Sequence, residues 1–238
     1  MNLTDEIKEA LLMLSIPEKR EFFPKFFKAG KDEYAEGDQF IGVTVPDQRK
    51  IVKEYFRKIS LKETGELLSS KIHEHRLTAL LILVSKYEKS QNLKEREEIV
   101  QFYLKNRKHI NNWDLVDNSC YKILGAYTFE TGNSKILTEL SEEENLWSKR
   151  IAVVSTMYYV KRGTFELMKS LVLKNLNHPH DLMHKANGWL LREMGKKDEE
   201  KLLNFLKTHY QNMPRTSLRY AIEKLDEDLR QDFLKGRI

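Results

Sequence analysis

The spacing of apolar residues predicts helices along almost the whole chain. Many segments place apolar residues near positions i, i+3, i+4 and i+7, the pattern of an amphipathic helix. We predict helices in DEIKEALLML, HRLTALLILVSKY, REEIVQFYLKN, KRIAVVSTMYYVK, FELMKSLVLKNL, EEKLLNFLKTHY and LRYAIEKLD. Pro17, Pro46, Pro179 and Pro214 each precede an apolar run, as expected near a helix N-terminus. No clear strand hairpin interrupts this pattern, which indicates an all-α fold.

One long gap in the helical pattern covers residues 28–45, KAGKDEYAEGDQFIGVTV. Its second half, residues 38–45, has a strand-like composition but is short and is followed by Pro46. We predict that the segment is a structured loop. Long ordered loops in a compact domain are often functional.

Five of the helical runs resemble one another. They begin at His75, Trp113, Lys149, Lys185 and Leu218, at spacings of 38, 36, 36 and 33 residues. A second amphipathic helix lies between successive runs, and helix pairs at this period are typical of a HEAT- or armadillo-like α-solenoid. Stacked antiparallel pairs would bury a continuous core and leave a concave face lined by one helix of each pair. Because no linker interrupts the repeat, we predict a single domain over residues 1–238.

Composition narrows the class of protein. Of the 238 residues, 40% are hydrophobic and 32% are charged, which describes a soluble globular chain. No apolar run has the length of a membrane span, and the N-terminus lacks the pattern of a signal peptide. Cys120 is the single cysteine, which excludes an internal disulfide and favours a reducing, cytoplasmic location.

The charge is mildly basic, with a formal net charge of +5. This value is compatible with a polyanionic partner but does not require one. Basic and acidic residues gather in separate short clusters, for example KNRK at 105–108 and SEEEN at 141–145. Two interpretations remain open from these runs alone: a polarised surface, or an ordinary solvated exterior.

The stretch NNWDLVD at 111–117 contains the strongest candidates for functional residues, an indole and a carboxylate. Trp113 and Asp117 are four residues apart and so project from the same face of a helix. If the five repeated runs line one groove, Arg150 and Trp189 from the next two repeats would face it as well. The alternatives are that the tryptophans belong to the core and that Arg150 forms an ion pair between repeats.

Neighbouring residues have simpler explanations. Asp114 lies roughly 100° around the helix from Trp113, and we interpret it as a first-turn acid favoured by the helix dipole. Gly188 would permit close packing of helices. A metal site at the H-x-H-x3-H motif of His178, His180 and His184 is disfavoured, because cysteines and an acidic ligand pattern are missing nearby. No glycine-rich phosphate loop, C-x-x-C or nucleophile elbow is found, and no cofactor is expected.

Four segments in order along the chain carry a family resemblance. They are EYAEGDQFIGVTVPDQRK (33–50), NNWDLVD (111–117), WSKR (147–150) and KANGWLLREMGK (185–196). In these segments the sequence resembles the AlkD-type DNA alkylation repair enzymes, a HEAT-like family of alkylpurine DNA glycosylases. The combination of the last three is specific, whereas any one alone would be weak. The resemblance covers nearly the whole chain.

The resemblance implies roles for individual residues. Asp117 corresponds to the catalytic acidic residue, and Trp113 and Trp189 correspond to tryptophans that contact the deoxyribose beside the lesion. Arg150 corresponds to the arginine that helps to hold the DNA backbone, and we add Lys149 and Lys185 as predicted phosphate contacts. No role in the N-terminal loop is transferred.

The implied chemistry fits these residues. An N3- or N7-alkylated purine is cationic and leaves as a neutral base, so the sugar develops positive charge that a carboxylate and two indoles stabilise. We therefore predict a DNA glycosylase that acts on alkylated purines in double-stranded DNA as a monomer. The rival is a non-catalytic HEAT scaffold that binds structured DNA or a protein, which would have no need for Asp117.

Overall fold

The computed structural model describes residues 2–238 and is built from helices. Within this range no strand is formed, and the single isolated bridge pairs Gln39 with Ile72. The chain divides into two compact units, one ending at Ile123 and the other running from Leu124 to Ile238. The all-α, α-solenoid-like fold class predicted from the sequence is confirmed.

In residues 2–123 the first unit forms seven α-helices and a short 3-10 helix (Arg107–His109). The α-helices are α1 (Leu3–Leu12), α2 (Pro17–Phe26), α3 (Val45–Tyr55), α4 (Leu61–Leu68), α5 (His73–Lys89), α6 (Leu93–Lys105) and α7 (Trp113–Cys120). Helix α5 is its centre and contacts α3, α4, α6 and α7. Every residue of α5 from His73 to Val84 is buried, as expected for a helix surrounded by others. Side-chain caps fix where some of the neighbouring helices begin; for example, Ser60 and Glu63 form a capping box at the start of α4.

The second unit continues with α8 (Ala126–Thr131), α9 (Lys135–Glu142), α10 (Leu146–Ser155), α11 (Met157–Val160), α12 (Glu166–Lys174), α13 (Asp181–Gly195), α14 (Glu199–His209), α15 (Arg215–Ala221) and α16 (Glu227–Lys235). Helix α13 is its centre and contacts α10, α14 and α15, while α10 packs on α9.

The repeat predicted from the sequence appears in the packing of each unit. The five repeated runs lie in α5, α7, α10, α13 and α15, which we call the inner helices. Within the first unit α5 contacts α7, and within the second unit α10 contacts α13 and α13 contacts α15. Another helix intervenes in the sequence between successive inner helices, as the pattern predicted.

Two glycines of the second unit, Gly188 on α13 and Gly125 just before α8, let helical segments approach closely. A Cβ on Gly188 would lie 2.4 Å from the carbonyl oxygen of Ser217 and 2.5 Å from Cβ of Tyr220. A Cβ on Gly125 would meet Ser155 and Tyr158 in the same way, at 2.1 Å and 3.0 Å. In both cases a glycine faces a serine and the tyrosine three residues later: Ser217 and Tyr220 lie on α15, whereas Ser155 ends α10 and Tyr158 lies on α11. The prediction that Gly188 permits close packing is confirmed.

One predicted helix is divided in the structure, and another ends earlier than predicted. The run KRIAVVSTMYYVK is divided at Thr156 into α10 and α11. The run LRYAIEKLD extends too far, because α15 ends at Ala221 and the next helix begins only at Glu227, where Asp226 caps it. Periodicity alone could not place this end, since Ile222 and Leu225 continue the apolar pattern through the turn.

Candidate active site

Helix α7 presents its two candidate residues on one side. Trp113 is the first residue of α7, and Asp117 follows one turn later; both are partly exposed. The residues between them, Asp114, Leu115 and Val116, are buried. The helix therefore directs Trp113 and Asp117 away from the core of the first unit, as the four-residue spacing predicted.

An aromatic cluster holds the indole of Trp113. Its ring centroid lies 5.8 Å from that of Phe26 and 5.5 Å from that of Phe27. Its Nε1 donates to the hydroxyl of Tyr34 in the 28–45 loop at 3.2 Å. On α2, the side chains of Phe26 and Phe22 remain 48% and 51% exposed, so an aromatic surface continues outward from Trp113. Trp113 is thus fixed by α2 and by the loop, and it is more than a core side chain.

A buried histidine joins the loop to α7. The ring of His73, at the start of α5, contacts Asp38 of the loop through Nδ1 at 3.2 Å and Asp114 of α7 through Nε2 at 2.8 Å. Arg76 donates to the same Asp38 oxygen at 2.6 Å. The His73 ring also stacks on Phe27, with centroids 4.7 Å apart. Asp114 lies in the first turn of α7 as expected, but it is also a buried partner of His73 and not only a dipole-stabilised acid.

The two carboxylates decide the charge of His73. Burial lowers the pKa of His73, but the charge of Asp114 and the hydrogen bonds to Asp114 and Asp38 outweigh it and raise the pKa to about 9. Burial raises the pKa of Asp38, whereas hydrogen bonds from His73 and Arg76 bring it below its usual value. His73 is therefore a cation between two carboxylates at neutral pH.

A third buried carboxylate, that of Glu74, fixes the end of the 28–45 loop. Glu74, next to His73, accepts hydrogen bonds from the backbone amides of Ile41, Gly42 and Val43, at 2.7 Å from the Gly42 nitrogen. These amides would otherwise be buried donors without partners, which is costly. Together with the bridge from Gln39 to Ile72, these bonds explain why the segment is a structured loop, as predicted.

The other candidate residues belong to the second unit. Arg150 in α10 is buried, and its guanidinium donates to the carbonyl of Leu182 in α13. Lys149 donates to the carbonyl of Ser141 at 3.4 Å, and Lys185 pairs with Asp181 at 2.8 Å. Trp189 lies one turn beyond Lys185 on α13 and is partly exposed.

Positive charge gathers at the N-terminal end of α13. Burial lowers the pKa of His180, and the charges of Arg150 and Lys185 lower it further, although Asp181 opposes them. Arg150 contacts the carbonyl of Leu182, three residues before Lys185 on α13, and Trp189 follows one turn later on the same helix. In the first unit, Trp113 and Asp117 likewise lie one turn apart on a single helix, α7.

Sequence comparison decides the family. The family model described as DNA alkylation repair enzyme matches residues 7–225, which is most of the chain. The chain belongs to the DNA alkylation repair enzyme family. Membership implies a role in alkylation repair and DNA as the substrate.

The fold of this family member agrees with a solved structure. The chain resembles a predicted DNA alkylation repair enzyme from Enterococcus faecalis with a TM-score of 0.71 and 17% sequence identity, covering 90% of this chain and 97% of that one. At this identity the likeness concerns the fold. No curated protein matches the chain significantly.

The three histidines near α13 of this DNA alkylation repair family member have structural roles. His180 caps α13 by accepting from the amide of Leu182 at 3.1 Å, and Nε2 of His184 lies 2.5 Å from the carbonyl oxygen of His178. Across residues 2–238, no three His, Cys, Asp or Glu side chains are grouped so as to hold a metal ion. In the same range, no helix is long and apolar enough to cross a membrane.

Sequence reasoning missed the His73 cluster in this family member. Asp38, His73 and Asp114 are separated by 35 and 41 residues, so no short motif joins them. One signal was present: HEHR at 73–76 places four polar residues directly before the largely apolar run LTALLILV of the same helix. Charged residues at buried helix positions require partners, and those partners lay in the loop and in NNWDLVD.

Proposed function

We propose that this protein is a DNA glycosylase that hydrolyses the N-glycosidic bond of cationic N3- or N7-alkylated purines in duplex DNA. Membership of the DNA alkylation repair enzyme family supports the repair role. The glycosylase activity is proposed from one observation: Trp113 and Asp117 lie on the same side of α7, and both are partly exposed. A partly exposed indole one turn from a carboxylate suits a cationic sugar better than it suits a plain binding surface.

The reaction needs little more than charge stabilisation. The alkylated base leaves as a neutral molecule, so no strong general acid is required. As the bond breaks, the carboxylate of Asp117 stabilises the positive sugar and orients a water toward the anomeric carbon. The indole of Trp113 adds cation–π attraction. The aromatic and hydrogen-bonded contacts of Trp113 hold that ring in place before substrate arrives, which lowers the cost of ordering it.

The second unit supplies the remaining contacts in this proposal. In it, Trp189 contacts the deoxyribose, and Lys149 and Lys185 contact phosphates. Arg150 helps to hold the DNA backbone. Because Arg150 is buried against Leu182, its main effect is to orient α10 and α13 with their basic residues. We also infer that residues 1–238 act as one HEAT-like domain, since the family model runs through both units. A monomeric, cytoplasmic protein is a separate part of the proposal.

The test is a single-turnover assay on two matched duplexes that differ in one base. One contains N7-methylguanine, a cationic lesion, and the other contains hypoxanthine, a neutral one. We expect release of free methylated base from the first and none from the second, because no poised general acid is among the proposed residues. The N7-methylguanine duplex incubated without protein is the control for spontaneous loss of the cationic base, and an undamaged duplex is the control for release of normal purines.

Two results would overturn the proposal. Comparable rates on both lesions would mean that a general acid takes part, and the charge-based mechanism would be wrong. Tight binding to DNA without release of any base would favour the non-catalytic HEAT scaffold.

A further inference from the structure

We propose that His73 is a positioning residue for base excision, which ties the 28–45 loop to α7 and so fixes the orientation of Trp113 and Asp117. The inference rests on the proposed function, because it assigns a role in that reaction. His73 itself is buried, with 1% of its surface exposed, so it is not placed to contact DNA. Its effect must therefore pass through the residues that it holds.

The contacts of His73 form a closed circuit around Trp113. From Nε2 the circuit runs to Asp114, the neighbour of Trp113 on α7. From Trp113 it continues through Nε1 to the hydroxyl of Tyr34 in the loop. From the loop it returns through Asp38 to Nδ1 of His73. Three of the links are hydrogen bonds of 2.8–3.2 Å and the covalent chain supplies the others, so rotation of α7 about its axis would break at least one of the three.

A stacked path reinforces the hydrogen-bonded one. The His73 ring stacks on Phe27 at 4.7 Å and on Phe40 at 5.0 Å, and Phe27 in turn lies 5.5 Å from Trp113. A cationic imidazole over an aromatic face gains cation–π attraction, which is larger where water is excluded. Trp113 is therefore held from two sides by groups that contact His73.

The circuit requires a proton on both ring nitrogens. Each nitrogen faces a carboxylate, and carboxylates only accept, so a neutral imidazole would leave one contact without a proton. With His73 protonated, its charge and that of Arg76 balance Asp38 and Asp114. Glu74 is the other carboxylate at this end of α5, and the amides of the loop satisfy it.

A structural purpose alone explains this cluster poorly. Four buried ionic groups stabilise a fold little better than apolar side chains of the same volume, because desolvation offsets most of their attraction. Such a cluster instead restricts its side chains, and the segments that carry them, to a single arrangement. Here that arrangement is imposed on the one turn of α7 that carries Trp113 and Asp117.

The test compares His73→Gln with His75→Gln. His75 is a matched control, because it is also buried in α5 but its hydrogen bond is to Ser70 at 3.1 Å, whereas the hydrogen bonds to Asp38 and Asp114 are made by His73. Single-turnover release of N7-methylguanine and the dissociation constant for the same duplex are measured for both variants. We expect His73→Gln to lose about 10- to 100-fold in rate, as for a misplacement of about 1 Å, with little change in the dissociation constant. His75→Gln should keep the wild-type rate.

A spectroscopic measurement tests the positioning without activity. The indole N–H resonances of the three tryptophans are recorded by NMR, and that of Trp113 is assigned with Trp113→Phe. In His73→Gln the Trp113 resonance should move while the other two stay, and His75→Gln should leave all three in place. An unmoved Trp113 resonance in His73→Gln, with an unchanged excision rate, would overturn the proposal.

Asp114→Asn provides the second variant in case His73→Gln does not fold. It keeps the shape of the side chain and removes the charge that holds Nε2. Both single variants and the double variant should lose similar amounts of rate, because they break the same circuit. Additive losses would contradict a shared circuit. If the wild type releases no base, the proposed function fails, while the NMR result still decides the role of His73.

Discussion

The N-terminal turn of α7 and the middle of α13 fix candidate residues by different physical means. At α7, hydrogen bonds between buried charges link Asp114 through His73 to Asp38. At α13, a glycine lies against a backbone carbonyl, since Gly188 faces Ser217. The first arrangement depends on which groups carry protons, and the second depends on volume. A change of pH should therefore affect the N-terminal turn of α7 and not α13, whereas added volume at Gly188 should affect α13 and not α7.

The largest expected effect is on the chemistry assigned to α7. Asp117→Asn should lower single-turnover base release by about 10²–10³-fold, because it removes a negative charge needed in the transition state while keeping the shape. Binding to the same duplex, measured by fluorescence anisotropy, should be unchanged or tighter.

Asp117→Asn also separates chemistry from positioning. It should leave the indole resonance of Trp113 in place, whereas Asp114→Asn should move it. Full activity in the Asp117→Asn protein would remove Asp117 from the mechanism.

The next effect concerns the pH dependence of stability, measured by urea denaturation from pH 5 to pH 10. The folded-state pKa of His73 is about 9, above the value of 6.5 for a free histidine, so its stabilisation is complete below pH 6.5 and is lost as the pH rises through 9. The full contribution is on the order of 3 kcal/mol. The difference between wild type and His73→Gln should therefore shrink toward pH 10.

His75 gives the opposite dependence within the same helix. Burial and the charge of Lys8 lower its pKa to about 4, so its contribution is complete above pH 6.5 and is lost as the pH falls toward 4. His75→Gln should change the acid side of the curve alone. Equal behaviour of the two variants at alkaline pH would contradict the charge assigned to His73.

A smaller effect is expected from added volume at α13. Gly188→Ala should destabilise the protein by about 1–3 kcal/mol, because the carbonyl of Ser217 is backbone and cannot move aside cheaply. Gly195→Ala is the matched control on the same helix, since its new methyl would meet a terminal methyl of Leu202 that can rotate away. Thermal unfolding compares the two, and an equal or greater loss for Gly195→Ala would count against the close approach at Gly188.

The smallest effect concerns the basic residues of the second unit. Lys149→Ala should reduce the slope of log K against log salt for duplex binding by about 0.9, the value for one neutralised phosphate. Lys185→Ala should do less, because Lys185 is already paired with Asp181. Lys135→Ala on α9, where the lysine is largely exposed and pairs with Glu139, is the control. A slope that is unchanged in all three variants would remove Lys149 from the DNA contacts.

The sequence was sufficient for features that repeat or that lie within one helix. The five inner helices, the loop at 28–45 and the shared side of Trp113 and Asp117 were predicted because each depends on residues close in sequence. The His73 cluster was not, since its members come from a loop and two helices that periodicity treats independently. Nor was the burial of Arg150, because a helix stripe indicates which face is apolar but not which charged side chain lies across a neighbouring helix.

At the contacts of Gly125 and Gly188, the glycine should tolerate substitution less well than the serine that faces it. Each glycine faces a main-chain oxygen, which every amino acid provides, so the constraint falls on the glycine and not on the side chain opposite it. The hydroxyls of Ser155 and Ser217 are buried without a hydrogen-bond partner, which makes alanine an acceptable or even better residue there. A library of random variants should therefore be depleted at the two glycines and permissive at the two serines, although all four positions are equally buried in the same interfaces.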